Sequence, residues 1–133
     1  YILTPHIKEL ADLLYLPKEE VKENIVQIAK ELKYCNGEIV IKEARTLVTG
    51  SGKCYINNSG NSGLAKAGSG DVLTGILAAL IATEKQRPFM VTPLGVYIHG
   101  LAGDMLKEKK GKYGIIAREL ADEVAEVMKR YSD

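Results

Sequence analysis

The residues best placed to do chemistry lie between 58 and 75. Gly60, Gly63, Gly68, Gly70 and Gly75 fall within 16 residues, and Gly68-Ser69-Gly70-Asp71 stands directly before the apolar run Val72 to Ile81. A glycine-rich loop that feeds a helix leaves backbone N–H groups free at the positive end of the helix dipole, a geometry that binds phosphate. Glycine suits such a loop because a Cβ would block the approach of an anion. The plain alternative is a tight turn with Asp71 as an ordinary first-turn acid. Common phosphate motifs do not account for the run. A P-loop ending at Gly52-Lys53 would need Gly at 47 and Ser or Thr at 54, where Leu47 and Cys54 stand. A dinucleotide fingerprint beginning at Gly68 would need Gly or Ala at 73, where Leu73 stands. An acid beside phosphate repels it. The economical role for Asp71 is therefore to take or orient the proton of a hydroxyl as that hydroxyl attacks phosphorus.

Other candidates are weighed against plainer readings. His6 falls at a strand-to-helix junction, where open α/β sheets place ligands; the alternative is a solvated histidine in a helix's first turn. Lys66 reads either as a point charge for a phosphate oxygen or as a solvated loop lysine. His99 reads as a packed or partly exposed helix residue rather than a catalytic one, and Asp104 as a helix-face carboxylate. Lys107 to Lys112 reads as a solvated helix end. No His, Cys, Asp and Glu set has metal-ligand spacing.

The elements that must position these residues follow from pattern. Tyr1 to Leu3 reads as a strand, with Thr4-Pro5 as the N-cap and first position of a helix carrying Ile7, Leu10, Ala11 and Leu14 on one face. Pro17 opens a second helix, with Glu19 and Glu20 in its first turn and Val21, Ile25, Ile28, Ala29 and Leu32 facing inward. Three β-type runs follow at 38–42, 46–49 and 53–56, the last two forming a hairpin about Gly50-Ser51-Gly52. The segment 72–81 is apolar all round and predicts a fully buried central helix. Helices are expected over 92–107 and 116–130, the latter with Leu120, Val124 and Val127 inward. Strands mixed with packed helices predict an α/β fold, but three or four short strands make a thin sheet for so many helices.

Composition narrows the classes. Lys plus Arg number 18 against 17 Asp plus Glu, which excludes a strongly basic nucleic-acid footprint and an acidic disordered tail. Hydrophobic residues make up 46% and charged residues 26% of the 133, an ordinary globular balance. The longest uninterrupted apolar stretch, Ile76 to Ala82, is far short of the roughly 20 residues a bilayer requires. Cys35 and Cys54 are not in a C-x-x-C and suit a reducing cytosol, so a cytoplasmic location is expected. The chain opens on Tyr1-Ile2-Leu3 with neither an initiator Met nor a lead-in, which predicts a piece of a longer protein.

Gly68-Ser69-Gly70-Asp71 resembles the Gly-x-Gly-Asp motif of the ribokinase-like superfamily. The wider run Asn61 to Gly75 resembles more specifically the nucleotide-dependent NAD(P)H-hydrate dehydratases. Two further segments agree: Leu3-Thr4-Pro5-His6 with Glu9, and Gly95-Val96-Tyr97-Ile98-His99-Gly100-Leu101-Ala102-Gly103-Asp104. The resemblance implies a three-layer ribokinase-like architecture, of which residues 1–133 would be the C-terminal half of a single domain. It implies repair of the hydrated cofactors NADHX and NADPHX. A nucleotide, ADP or ATP with Mg²⁺, phosphorylates the ring hydroxyl, and phosphate elimination restores NAD(P)H. It implies that Asp71 is catalytic and contacts substrate, and that His6 binds substrate. Nucleotide contacts are implied for Lys42, Glu43, Ala44, Arg45, Thr46, Asn61, Gly68, Ser69 and Gly70. The chain departs from the family pattern at Ile7 and Lys8, where Pro and Gly are usual, and at Glu43, where Gly is usual.

Partners are expected to be the small-molecule substrate, the absent N-terminal part and a second copy of the protein, with neither nucleic acid nor membrane. Two other readings stand beside the dehydratase. One is a small-molecule kinase with the same loop, acting on a vitamin-precursor or sugar hydroxyl. The other is a nucleotide-binding fragment without catalysis, whose open sheet edge and apolar surface invite association.

Overall fold

A computed structural model describes residues 1–83 and 88–132. They form two compact units, Tyr1–Asn57 and Asn58–Asp133.

The first unit is a four-stranded sheet with helices: β1 (Ile2–Leu3), α1 (Ile7–Leu14), α2 (Lys18–Glu23), α3 (Ile25–Leu32), β2 (Glu38–Ile41), β3 (Leu47–Gly50) and β4 (Lys53–Ile56). The sheet order is β1-β2-β3-β4, with β1 and β2 parallel and the other pairs antiparallel. The expected hairpin is therefore present, and the sheet is as thin as the pattern predicted. Ile7, Leu10 and Ala11 of α1 pack with Val21, Ile28, Ala29, Ile39, Ile41 and Leu47 into one core, with Leu14, Ile25 and Leu32 at its margin.

Two helix boundaries differ from expectation. The helix expected to begin at Thr4-Pro5 begins at Ile7, capped by His6. Residues 5 and 6 instead continue the parallel pairing: the Lys42 amide donates to the Pro5 carbonyl at 2.8 Å, and His6 bridges Lys42. Proline has no N–H to lose there, so extending the sheet costs it nothing. The single helix expected after Pro17 is two, broken at Asn24 (φ −112°, ψ 18°), whose side-chain amide donates to the Glu20 carbonyl. Asparagine competes with the helix for its own backbone partners, and here it divides the helix while the predicted apolar face persists.

The second unit is helical: α4 (Ser69–Thr83), α5 (Pro88–Lys110) and α6 (Ala117–Tyr131), with short 3-10 turns at Ser62–Leu64 and Lys112–Gly114. Ile98, Ala102 and Leu106 of α5 pack with Ile115, Leu120 and Val127, and Val72, Leu80 and Val124 lie at the edge of that core. Buried Glu123 of α6 takes both its bonds from Lys109 of α5, at 2.6 and 2.8 Å. The expectation that α4 is fully buried is corrected. Only Ser69, Leu73 and Leu77 are buried, and Gly75, Ala78, Ala79 and Ala82 are exposed in this chain. An all-round apolar sequence still covers only the stripe that meets its neighbours. Helix α5 runs beyond the expected 92–107 at both ends and holds Pro93 in its interior. No helix among the described residues is long and apolar enough to cross a membrane.

Candidate functional site

In the second unit, the glycine-rich segment is laid against α5 by side-chain bonds. The Ser59 hydroxyl donates to the Tyr97 carbonyl at 2.9 Å. The Gly60 amide donates to Asp104 Oδ2 at 2.8 Å, and the Asn61 side-chain amide donates to Asp104 Oδ1 at 2.9 Å. Asn61 Oδ1 in turn accepts from the Gly63 amide at 2.9 Å. The approach is close enough to require glycine at 100, where backbone stands in the way, while at 103 a side chain does. A Cβ on Gly100 would lie 2.7 Å from the Ser59 carbonyl carbon, and one on Gly103 would lie 2.6 Å from a Leu64 methyl. Asp104 is the helix-face carboxylate expected from the sequence, and it anchors the loop. Lys66 is exposed, and its ammonium donates to the Tyr113 carbonyl at 2.6 Å.

The loop ends at Gly68, whose φ of +85° lies in the left-handed region that glycine occupies without strain. The Ser69 amide donates to the Lys66 carbonyl, and the Val72 amide donates to the Gly68 carbonyl. Among the described residues no acceptor faces the amides of Gly70 and Asp71, the first-turn groups that a helix leaves without internal partners. The Asp71 carboxylate is exposed beside them. Two open amides at a positive dipole end and one accessible carboxylate on the same turn can hold an anion and accept a proton from a group that attacks it.

Beneath this turn, His99 is buried on α5. Its Nε2 lies 3.0 Å from the Ser69 carbonyl oxygen and 3.2 Å from the Ser69 hydroxyl. A carbonyl oxygen can only accept, so Nε2 carries the hydrogen. Burial pushes the imidazole below its usual 6.5, and it is neutral near pH 7. The reading of His99 as a packed helix residue holds, and the structure adds what it packs under.

In the first unit, His6 and Lys42 are bridged neighbours at the carboxyl ends of the parallel strands β1 and β2, where open α/β sheets present ligand-binding groups. His6 caps α1: its Nδ1 accepts from the Glu9 amide at 3.1 Å, and Glu9 Oε2 accepts from the His6 amide at 2.8 Å. Nδ1 is therefore unprotonated in neutral His6, and Nε2–H is the remaining donor, with Glu9 Oε1 at 3.4 Å. The bond from the His6 backbone, then the charges of His6 and Lys42, hold the Glu9 carboxyl below its ordinary range. Lys42 to Thr46 form the loop between β2 and β3. Glu43, Ala44 and Arg45 are exposed, and Thr46 is tied through its carbonyl to the Asn57 amide at 2.8 Å. Asn61 and Gly68 to Asp71 belong to the other unit. Among the described residues no group of three or more His, Cys, Asp or Glu forms a metal cage.

From the sequence, His99 and Asp104 read as helix residues with no part in the loop, and both hold it. A signal was present: each stands next to a glycine of α5, Gly100 and Gly103, and glycine inside a helix often marks the close approach of another segment.

Parallel strand ends leading into helices, and a Gly-x-Gly-Asp turn opening an apolar helix, are features of the ribokinase-like α/β class. The crystal structure of a ribokinase-like superfamily protein from Enterococcus faecalis V583 superposes on 98% of this chain with a TM-score of 0.82 at 30% identity, covering 44% of that protein. The sequence profile of the NAD(P)H-hydrate dehydratases matches residues 1–126, and the chain belongs to that family. A bifunctional NAD(P)H-hydrate repair enzyme of Moorella thermoacetica is 38% identical over 99% of this chain and 25% of its own length. The ADP-dependent (S)-NAD(P)H-hydrate dehydratase of Neisseria meningitidis is 39% identical over 90% of this chain and 41% of its own length. The Bacillus subtilis ADP/ATP-dependent NAD(P)H-hydrate dehydratase, co-crystallised with ATP/Mg²⁺, matches 98% of this chain and 48% of its own, with a TM-score of 0.92 at 31% identity. The chain thus spans between a quarter and a half of the length of these relatives.

Proposed function

We propose that this chain carries the phosphoryl-handling part of an enzyme that dehydrates NADHX and NADPHX at the expense of ADP or ATP. The observation that carries the reading is the first turn of α4: the open amides of Gly70 and Asp71 beside an exposed carboxylate. The amides hold the oxygens of the transferring phosphoryl group. The Asp71 carboxylate takes the proton of the substrate's ring hydroxyl as that oxygen forms its bond to phosphorus and the bond to the departing nucleotide breaks. Phosphate then leaves with the C–O electron pair, a proton leaves the neighbouring carbon, and the double bond of the reduced nicotinamide is restored. Gly68 and Ser69 supply the backbone of the nucleotide cradle. Asn61 serves it by holding the loop, and Lys42 to Thr46 meet the nucleotide.

His6 holds the substrate through the Nε2–H of its half-exposed ring. That donor and the capping of α1 are compatible, because they use opposite nitrogens of one ring. Mg²⁺ fits the site as a companion of the nucleotide phosphates, bound mainly by phosphate oxygens and water rather than by a protein cage. The reading includes a homo-oligomeric, cytoplasmic enzyme in which further parts of the fold complete the acceptor pocket. The exposed small-residue face of α4 supports a covering neighbour.

The test is Asp71→Asn in the intact protein, assayed with NADHX and nucleotide for return of reduced-nicotinamide absorbance and release of phosphate. Loss of turnover with nucleotide binding retained is expected. A stable phosphorylated product from the unaltered protein, without return of that absorbance, would count for a small-molecule kinase instead.

A further inference from the structure

We infer that His99 is a positioning residue for phosphoryl binding: through the Ser69 carbonyl it aims the Gly70 amide at the anion. The inference rests on the dehydratase reading and adds a residue that does not itself touch nucleotide or substrate. The Ser69 carbonyl and the Gly70 amide are two ends of one peptide group. That group is planar and trans, so its C=O and N–H point in opposite directions. A donor that fixes the oxygen on the inner side therefore fixes the hydrogen on the outer side. The Leu73 amide already holds that oxygen in the ladder of α4, and His99 Nε2 is a second donor to it from the inner side, 3.0 Å away.

The bond also polarises the peptide group. Electron density drawn toward the oxygen leaves the Gly70 N–H a stronger donor. Ser69 is 4% and His99 9% exposed, so little water competes for the oxygen. The Ser69 hydroxyl, 3.2 Å from the same nitrogen, keeps the ring seated over both oxygens of the residue. Glycine at 70 makes such restraint useful, since a residue without a Cβ has the widest backbone freedom to lose. The same helix holds the loop's entry through Asp104, bonded to Gly60 and Asn61. A single rigid element, α5, thus fixes both the entry of the loop and its anion-binding turn.

A buried histidine that merely satisfied its own polar atoms would affect stability and leave the chemical step alone. The experiment compares His99→Gln with His99→Asn in the intact protein, with Asp71→Asn as a control. Both amides are neutral. The Gln side-chain nitrogen reaches the place of Nε2, and that of Asn stops short of it. His99→Gln is expected to keep kcat within about threefold of the unaltered enzyme, and His99→Asn to lose about tenfold in kcat with a smaller change in the nucleotide KM. Equal kcat in the two variants overturns the inference. If His99→Asn does not fold, nitrogen NMR of the unaltered protein decides. A neutral ring protonated at Nε2, with a Gly70 amide that shifts on adding ADP, supports the inference, and a ring protonated at Nδ1 overturns it. Inactive Asp71→Asn alongside either overturning result leaves the dehydratase reading standing. Asp71→Asn that turns over normally overturns that reading, and this inference with it.

Discussion

Asn61 and Asp104 are locked to each other across 43 residues of sequence. The Asn61 side-chain amide donates to Asp104 Oδ1 at 2.9 Å, while the other carboxylate oxygen takes the Gly60 amide. Because Asn61 also accepts from the Gly63 amide, one carboxylate on α5 fixes the entry of the whole glycine-rich loop. Asp104→Ala leaves a part-buried amide and a carboxamide without their acceptor. A loss of about 2–4 kcal/mol is expected for two broken bonds to a charged group, read by urea unfolding of the intact protein. Asn61→Ala should lose less, because Gly60 keeps its bond to Asp104. Equal stability of Asp104→Ala and the unaltered protein would contradict the anchoring role.

The close approach of the loop to α5 gives a second prediction. Gly100→Ala places a methyl group against the backbone of Ser59, whereas Gly103→Ala meets only the end of the Leu64 side chain, which can rotate. Alanine favours an α-helix over glycine by about 1 kcal/mol. Gly103→Ala is therefore expected to be near neutral and Gly100→Ala to destabilise by about 1–3 kcal/mol. Comparing the two denaturation midpoints checks the order, and a more stable Gly100→Ala would contradict the packing.

The buried His99 imposes a pH dependence. Its folded pKa lies below the usual 6.5 because burial opposes the charged ring. Unfolded chains therefore bind a proton that folded ones do not, and stability rises with pH over that interval. The contribution is complete above 6.5 and is lost as pH falls from there toward the lowered folded value. His99→Gln removes this part of the dependence. Urea midpoints at about pH 7.5 and about pH 5.5 should differ less in His99→Gln than in the unaltered protein. An equal difference in both would show that other groups carry it.

The capping box at the start of α1 supplies a fourth prediction. Glu9→Ala removes the acceptor for the His6 amide and releases the His6 ring from its partner. The pair is half exposed, so the expected loss is at the low end for a cap, about 0.5–1 kcal/mol. The Glu9 carboxyl is held below its ordinary range, so this support is present above that range and fades as pH falls through the lowered value. A larger effect on substrate KM than on stability would follow from His6 binding substrate. Kinetics of Glu9→Ala and His6→Ala in the intact protein measure it.

How far the fold was legible depended on whether the signal was local. The hairpin about Gly50-Ser51-Gly52 and the inward faces of α1 and α6 come from turn chemistry and periodicity within a few residues, and all are present. Periodicity places a face and not an axis, so the break at Asn24 was not visible in it. The start of α1 was misplaced because the use of Pro5 is decided by Lys42, a residue far along the chain. Helix α4 is apolar on every side, yet which side is covered depends on its neighbours, and apolarity alone predicted too much burial. Within the candidate site, the Gly68 to Asp71 turn was legible because its glycines and acid stand together. His99 and Asp104 were not, because their roles exist only through Ser69, Gly60 and Asn61, which lie far from them in sequence.

In the proposed reaction the Asp71 carboxylate takes the hydroxyl proton while neighbouring amides hold the phosphoryl group. The most direct measurement is single-turnover phosphate release from NADHX and nucleotide by the intact protein carrying Asp71→Asn. Asparagine keeps the size and first-turn position of Asp71 but cannot accept that proton. A rate lower by about 10²–10⁴-fold is expected, with nucleotide affinity within a few-fold of the unaltered protein. Phosphate release at the unaltered rate would contradict it.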